Sequence, residues 1–404
     1  SSSSSKKKMI SDANRQFEEI DNLILEFIRL PLDLESGNAL KKRRLSSSDW
    51  QLFIQRAFEE GVSGLIYYNL SNAGFKFLLP QWVHEKFKQD YIHNLGRNIF
   101  INTQLRDIFL GFKKKQIPLL LLRGIDFLNR VYPSAGIRAM SDVDLLIHSE
   151  HQAGVKELLS GLGYDYTPGY AFFFYKDNLF IDLHLDVIGF WRIKTCPFAI
   201  NIKNSRVWEQ AESLSDLSPD IRVLSLYDSI LACCLHLQTH SFGRLMWFVD
   251  VAVLIRNAGD SFDWQVLLER AREFNFQRPV YFVMRYLNAA RILSVPPEAL
   301  SCLGNFAMNR LERRTLHMLL DNQRSGIFGE LLYIFSIPKL KNRLRFVWDT
   351  IFMEREKVPL ARKRLTPWSS FRRILKIVLY VAGNILVIFI MKPRIDTKKT
   401  KKYV

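Results

Sequence analysis

The chain has 404 residues, of which 48% are hydrophobic and 13% aromatic, so it has ample apolar material for packed cores and is not a disordered protein. More than one domain is expected, because single cores rarely grow past roughly 250–300 residues. The formal charge of +17 lies at the ends: residues 338–404 hold 18 Lys and Arg against four acidic residues, Lys6–Lys8 add three charges, and residues 9–337 are neutral. A basic face on the folded body, of the kind that binds DNA, is therefore not expected.

The periodicity of apolar residues divides the chain. Three-and-four spacing from residue 12 to about residue 116 predicts an N-terminal helical unit, after a disordered Ser- and Lys-rich tail over residues 1–11 that lacks the apolar region of a secretory signal. Short apolar runs over residues 119–122 and 143–147, and a hairpin pattern over 169–187, predict an α/β core over residues 117–222. Helical spacing returns in residues 223–337, which we predict as a C-terminal helical domain.

The last part, residues 338–404, is predicted as a basic tail with an apolar helix over residues 374–391. This largely apolar stretch of 18 residues just reaches the length of a membrane-spanning helix. Lys376, Tyr380, Gly383 and Asn384 form one polar stripe, and cations flank both ends, so a helix packed on protein or lying on an anionic membrane surface is favoured over a spanning one.

Four scattered cysteines exclude a disulfide scaffold and a CxxC zinc site: Cys196, Cys233, Cys234 and Cys302. Cys233 and Cys234 lie in an apolar run, where cysteine behaves as a small buried hydrophobe. We expect a reducing, cytoplasmic location, with peripheral attachment to the inner membrane face as an option for the tail.

Carboxylates and one glycine in the predicted core are the candidates for chemistry. Asp142 and Asp144 lie two residues apart on a predicted strand, so both side chains point to one face, and Asp182 on a later strand can join them. Carboxylates held together in this way bind divalent cations. Gly124, where a strand meets a helix, would let backbone N–H groups approach a polyphosphate. Taken alone, the Asp-x-Asp spacing favours only a solvated strand end.

The order of these features is more specific than any one of them. An apolar strand, a Gly-containing turn, a helix, an Asp-x-Asp strand and a later strand with one carboxylate resemble the polymerase-beta-like nucleotidyltransferase superfamily. More narrowly, residues 15–330 are similar to a bacterial group of uncharacterised nucleotidyltransferases. The motifs that carry this resemblance are Leu122-Arg-Gly124, Tyr132-Pro133, Gly136 to Ile147, Gly161 to Tyr164, Ile181-Asp-Leu-His184, His236 to His240, Trp247 to Asp250 and Asp263-Trp264.

The resemblance implies an α+β fold, with a small mixed-sheet nucleotidyltransferase core flanked by N-terminal and C-terminal helical units. It implies Mg²⁺ or Mn²⁺ as cofactor and an NTP as substrate. The implied catalytic and metal-binding residues are Asp142, Asp144 and Asp182, and the implied nucleotide-binding residues are Arg123, Gly124, Arg138, Ser141 and His184. The sequence departs from the pattern at the turn, where the superfamily often has Gly-Ser or Gly-Gly and the narrower group commonly has Lys in place of Arg123.

The activity implied is Mg²⁺-dependent transfer of a nucleoside monophosphate to an acceptor hydroxyl, with release of pyrophosphate, by a two-metal in-line displacement. The neutral charge of residues 9–337 does not indicate whether the acceptor is a small molecule, a sugar, a protein or an RNA. The alternative function is a non-catalytic nucleotide-binding or scaffold protein that is peripherally associated with a membrane.

Some assignments stay open at the level of sequence. Asp186 shares a strand face with Asp182 and competes with it as the third carboxylate. His184 either contacts the substrate or is the partner of a carboxylate. His236 and His240 have the one-turn spacing of a metal pair, but no third ligand follows, so polar residues facing a cleft are favoured over a zinc site. Residues 247–249 are predicted as core, and Asp250 as the partner of an Arg or a His.

Overall fold

The apolar run Leu119–Leu122 forms an inner strand of a sheet, as its continuous hydrophobicity predicts. The structure is a computed structural model that describes residues 16–29, 45–75, 78–166, 173–187, 204–214, 221–322, 329–337 and 339–351. Its strands are β1 (Leu119–Leu122), β2 (Asp142–Leu146), β3 (Asp165–Tyr166), β4 (Phe173–Lys176), β5 (Leu179–His184), β6 (Glu212–Ser213) and β7 (Ile221–Val223).

Helices precede, interrupt and follow these strands. Before the sheet lie α1 (residues 16–28), α2 (Ser47–Glu59), α3 (Ser63–Asn72) and α4 (Gln81–Lys114). Between the strands lie α5 (Gly124–Arg130), α6 (Gln152–Gly161) and α7 (Asn204–Glu209). After the sheet lie α8 (Leu226–Thr239), α9 (Leu245–Ala258), α10 (Trp264–Glu273), α11 (Gln277–Ala289), α12 (Pro297–Leu303), α13 (Arg310–Leu320), α14 (Gly329–Ser336) and α15 (Leu340–Ile351).

The seven strands form one mixed sheet in the order β3-β4-β5-β2-β1-β7-β6. β2 pairs with β1 in antiparallel orientation and with β5 in parallel orientation. The predicted hairpin is β4 and β5, joined at Asp177 and Asn178, which both have the positive φ of a tight hairpin turn. The predicted fold, a mixed sheet with helices on either side in the sequence, is confirmed. The short strands β6 and β7 were not predicted.

The two faces of the sheet belong to two hydrophobic cores. Alternate residues of β1 show this, because successive side chains of a strand point to opposite faces. Leu119 and Leu121 pack with the C-terminal half of α4 and with α6, whereas Leu120 and Leu122 pack with the N-terminal helices and with α8 to α12. Asp144 lies on the same face as Leu146, which belongs to the second of these cores. The candidate carboxylates therefore face the C-terminal helices.

The N-terminal helices support the segment that leads into β2. The fully buried amide of Asn98 on α4 donates to the carbonyl oxygens of Ala135, at 2.6 Å, and Arg138, at 2.8 Å. The hydroxyl groups of Tyr91 and Ser134 lie 2.6 Å apart. These contacts fix the backbone just before Asp142, so α4 positions the site through the loop.

Gly64 on α3 allows a close helix-to-loop approach, and this gives a first prediction. A Cβ at Gly64 would lie 2.3 Å from the carbonyl oxygen of Gly136, a contact that real structures do not tolerate. We expect Gly64→Ala to lower the free energy of unfolding by about 1–3 kcal/mol. The matched control is Gly96→Ala on α4, where a Cβ meets nothing within 4 Å, so Ala should stabilise the helix by about 0.5–1 kcal/mol. Thermal unfolding of both variants tests this, and equal effects would contradict the close approach.

The predicted tails lie mostly outside the described residues. Residues 1–11 and the apolar segment 374–391 are not among them, and of residues 338–404 the structure describes 339–351, which include α15. No helix in the described ranges is both long and apolar enough to cross a membrane. Peripheral membrane attachment and the domain boundaries at residues 116/117 and 222/223 stay predictions.

Candidate active site

Strand register brings two of the predicted carboxylates together. In the antiparallel pair Leu122 faces Asp144, and in the parallel pair Asp144 faces Asp182. Leu122, Asp144 and Asp182 therefore form one row across β1, β2 and β5. Asp186, the competing residue, lies two residues past the end of β5. The row places Asp182 beside Asp144, and Asp186 outside the strand.

Arg123 turns the chain from β1 into α5. Its backbone has φ +50° and ψ −120°, a conformation that residues with a Cβ rarely adopt and that costs on the order of 1–3 kcal/mol. Because the residue directly follows Leu122, its side chain starts at the end of the carboxylate row. The strained turn thus places the guanidinium of Arg123 beside Asp144.

A hydrogen-bonded network connects the row to α8. The Arg123 Nη2 atom lies 2.7 Å from Oδ1 of Asp144, and Nε donates to Oδ2 at 3.1 Å. Arg123 Nη1 lies 2.8 Å from Nδ1 of His236, which must accept because a guanidinium only donates. Nε2 of His184 lies 2.8 Å from Asp144 Oδ1 and 3.4 Å from Asp182 Oδ2. The Asp144 carboxylate is thus shared between a guanidinium and an imidazole.

These contacts shift the pKa values of Asp144 and Asp182 in opposite directions. Burial would raise the pKa of Asp144, but the charge of Arg123 and the hydrogen bond of His184 hold it well below its usual range. Burial raises the pKa of Asp182, and the neighbouring Asp144 charge adds to this effect. Two carboxyl groups with pKa values moved in opposite directions suit different roles, with Asp144 as a permanent anion and Asp182 as a proton acceptor.

The pKa values of the two histidines in the network are also shifted in opposite directions. Burial would lower the pKa of His184, but its hydrogen bond to Asp144 outweighs this and raises the pKa. Burial lowers the pKa of His236 far below its usual value, and the charge of Arg123 lowers it further. His236 is therefore a neutral acceptor for Arg123, whereas His184 is a partner of Asp144, the second of its two predicted roles.

The remaining predicted residues surround this network. Asp142 is exposed and accepts a hydrogen bond from the Ser141 hydroxyl at 2.7 Å. Gly124 begins α5, and a Cβ there would lie 2.5 Å from Arg138 Nη1, so this position requires glycine. The structure places Asp142 at the same cleft as Asp144, without bringing the two into one cluster.

The structure identifies the partner of Arg138, which the sequence alone did not predict. It binds Asp250 of α9 through Nε, at 3.0 Å, and through Nη2, at 3.0 Å. The Tyr132 hydroxyl donates to the same carboxylate at 2.6 Å, and all three side chains are buried. The prediction that Asp250 binds an Arg or a His is confirmed. This cluster ties the loop before β2 to the C-terminal helices, and leaves Nη1 of Arg138 beside Gly124.

A cleft connects the carboxylates to α8 and α9. Asp142, Asp144, Arg123, His240 and Trp247 are among its lining residues. His236 and His240 line it together, with ring centroids 4.4 Å apart, as the cleft interpretation predicts. Phe248 and Val249 are buried as predicted. The prediction that Trp247 is core holds only in part: its side chain packs against the core but is half-buried and reaches the cleft, because it lies near the first turn of α9, where the helix meets the opening.

Comparison with known families agrees with this architecture. A family model described as "Uncharacterised nucleotidyltransferase" matches residues 46–290, more than half of the chain, and the chain belongs to this family. The predicted resemblance is confirmed, and membership implies an NTP substrate. No curated protein and no solved structure gives a significant match to the chain.

Three side chains offer donor atoms to the divalent cation that family membership implies. Ligand atoms of Asp144, Asp182 and His184 all lie within 4.8 Å of one another, close enough to hold one ion. Carboxylate oxygens suit Mg²⁺ and Mn²⁺, and the imidazole suits the transition metal better. The residues therefore fit a divalent cation on two conditions. Both oxygens of Asp144 already bind Arg123 or His184, so the guanidinium must release at least one of them. Nε2 of His184 donates to Asp144, because an ionised carboxylate only accepts, so this nitrogen must lose its proton before it can bind a metal.

Proposed function

We propose that this protein transfers a nucleoside monophosphate from an NTP to an acceptor hydroxyl and releases pyrophosphate. The observation that carries the proposal is the cluster of Asp144, Asp182 and His184 on adjacent strands, with Arg123 against it, in a chain of the nucleotidyltransferase family. The acceptor belongs to one of four classes: a small molecule, a sugar, a protein or an RNA. Mg²⁺ or Mn²⁺ is the proposed cofactor.

In the proposed reaction the acceptor oxygen attacks the α-phosphorus, and the bond from that phosphorus to the bridging oxygen of the pyrophosphate breaks. The hydroxyl proton passes to Asp182, whose raised pKa suits a general base. The pyrophosphate leaves with the electron pair of the broken bond. Asp144, with Asp142 and Asp182, would hold divalent cations, which supply charge stabilisation for the attacking and leaving oxygens.

The cations of the cleft take the phosphates in this proposal. Arg123 exchanges the Asp144 carboxylate for the triphosphate, which also frees a carboxylate oxygen for the metal. Arg138 contributes through Nη1 beside Gly124, since Asp250 engages Nε and Nη2. Backbone N–H groups after Gly124 and the Ser141 hydroxyl complete the proposed phosphate site. The site therefore accepts metal and nucleotide together more readily than metal alone.

A second prediction follows from the ion pair between Arg123 and Asp144. Removing the guanidinium in Arg123→Met should raise the affinity for Mn²⁺ in the absence of nucleotide by about tenfold or more, because the cation no longer competes for Asp144. Electron paramagnetic resonance of free Mn²⁺ measures this directly. The control is Arg244→Met, which removes a cleft cation that makes no described contact with Asp144. Equal Mn²⁺ affinity in the wild-type protein and in Arg123→Met would contradict the exchange.

The direct test of the function is the conversion of an NTP to pyrophosphate in the presence of Mg²⁺ or Mn²⁺ and a cell extract that supplies acceptors. The proposal expects metal-dependent pyrophosphate release by the purified protein. A scaffold that only binds nucleotide would show NTP binding without release, and that outcome would exclude the transferase.

A further inference from the structure

Between Leu245 and Ile255 of α9, Trp247 is the one residue that is not buried. Leu245, Met246 and every residue from Phe248 to Ile255 are buried on α9. Trp247 is half-buried and lines the cleft that also contains Asp142 and Asp144. A large aromatic side chain that packs against the core with part of its surface and stays partly open to a polar cleft can offer the open part of its ring to a ligand.

Other rings and a cation surround the indole. The His236 ring lies 4.7 Å from it in an edge-to-face arrangement, and the His240 ring lies 5.3 Å away. The guanidinium carbon of Arg244, an exposed residue, is 5.7 Å from the indole centroid. The group therefore combines a π-face with an exposed cation that can pack on the outer side of a planar molecule.

The turn that carries this group has a fixed backbone. Ser241 and Phe242 both have positive φ, +55° and +56°, which is uncommon for residues with a Cβ. Phe242 is fully buried, and its N–H donates to the Leu237 carbonyl oxygen at 2.7 Å. The buried phenyl ring anchors the turn, so His240 and Arg244 on either side of it are held at the opening of the cleft.

The position of Trp247 relative to the carboxylates matches one part of a nucleotide. Between Asp144 and Trp247 lie one guanidinium, that of Arg123, and one imidazole, that of His236, each in contact with the next. In an NTP a single ribose separates the reacting α-phosphate from the base. A nucleotide that has its α-phosphate at Asp144 and extends along this chain of contacts therefore directs its base toward the indole.

We propose that Trp247 is the stacking platform for the nucleobase of the NTP, with Arg244 on the outer face of the base. The inference rests on the proposed function, since it assigns the far end of the same substrate. Aromatic stacking binds the π-face of any base. Trp247 should thus contribute affinity for nucleosides and none for the triphosphate itself.

The test is isothermal titration with two Mg²⁺-bound probes: ATP with a non-hydrolysable α,β-methylene bridge, and inorganic tripolyphosphate, which has no base. Trp247→Ala should weaken the nucleotide by roughly tenfold to a hundredfold and leave tripolyphosphate within about twofold. Trp247→Phe should recover most of the loss, because the phenyl ring still stacks. Trp82→Ala is the control, an exposed tryptophan on α4 outside the cleft, and should bind both probes as wild type does.

Three results would overturn the assignment. Nucleotide affinity unchanged in Trp247→Ala would show that the base lies elsewhere, and a drop in turnover with unchanged nucleotide affinity would place the acceptor on the indole instead. An equal loss for both probes would show that Trp247 shapes the phosphate site. Absence of nucleotide binding by the wild-type protein would overturn the proposed function together with this inference. The first three results, by contrast, would overturn only the assignment of Trp247.

Discussion

Asp144→Asn is expected to reduce pyrophosphate release by about 10²–10³-fold or more. The substitution removes the charge that would hold the metal and that now binds Arg123 at 2.7 Å. It keeps the size of the side chain and its place between β1 and β5. The measurement is the initial rate of pyrophosphate formation at saturating NTP, for wild type and variant.

The control for Asp144→Asn is Asp177→Asn, in the exposed turn of the β4–β5 hairpin. Asparagine tolerates the positive φ of this turn, so activity and stability should match those of the wild type. The Asp144→Asn substitution leaves the buried guanidinium of Arg123 without its charged partner, which can itself lower stability. Circular dichroism and a melting curve therefore show whether a loss of activity comes from lost catalysis or from a lost fold. Full activity in a folded Asp144→Asn protein would contradict the assignment of the site.

Asp250→Ala is expected to cause the largest loss of stability. The buried carboxylate is the partner of Arg138 and of Tyr132, and its removal leaves an uncompensated buried guanidinium. Breaking such a pair costs about 3–5 kcal/mol of unfolding free energy. The melting temperature should fall by roughly 5 °C or more, which differential scanning calorimetry measures.

Asp260→Ala provides the comparison for Asp250→Ala, since this exposed acid lies just past the same helix. Its effect should stay within about 0.5 kcal/mol, as for most surface substitutions. Should Asp250→Ala melt at the temperature of Asp260→Ala, the cluster that joins the loop before β2 to α9 would not be a structural link.

The local features of the fold were predictable from the sequence because they depend on short-range periodicity. The apolar run gave β1 at residues 119–122, with the observed bounds, and the period of two placed Asp142 and Asp144 on β2. The Asp177-Asn178 turn marked the hairpin that carries Asp182. These elements fix which side chains share a face of their own strand.

The contacts between distant segments could not be predicted in this way. The facing of Asp144 and Asp182 depends on the register of a parallel strand pair, and periodicity within one strand does not set that register. The bond between Arg138 and Asp250 spans 112 residues, and only the tertiary fold selects this partner among many acids. Asp142 likewise lies outside the cluster of Asp144, Asp182 and His184, although it is two residues from Asp144 on the same strand.

The half-buried indole of Trp247 illustrates the same limit. Its neighbours on α9 are apolar, so the pattern predicts core at this position as it does, correctly, at Phe248. The available signal was the adjacent His236 and His240, whose one-turn spacing marks a polar stripe on α8 facing the same cleft. Packing of α8 against α9 decides which helix face meets solvent. The periodicity of a single helix carries no information about this packing.

The most direct measurement follows the phosphorus atoms of the NTP. Wild-type protein is incubated with Mg²⁺ or Mn²⁺, cell extract and each NTP in turn, labelled with ³²P at either the α- or the γ-phosphate. Nucleotidyl transfer predicts that the α-label becomes attached to an acceptor while the γ-label appears in pyrophosphate, and that both signals vanish in Asp144→Asn. Transfer of the γ-label to the acceptor, with the α-label left in a nucleoside diphosphate, would contradict the proposed reaction.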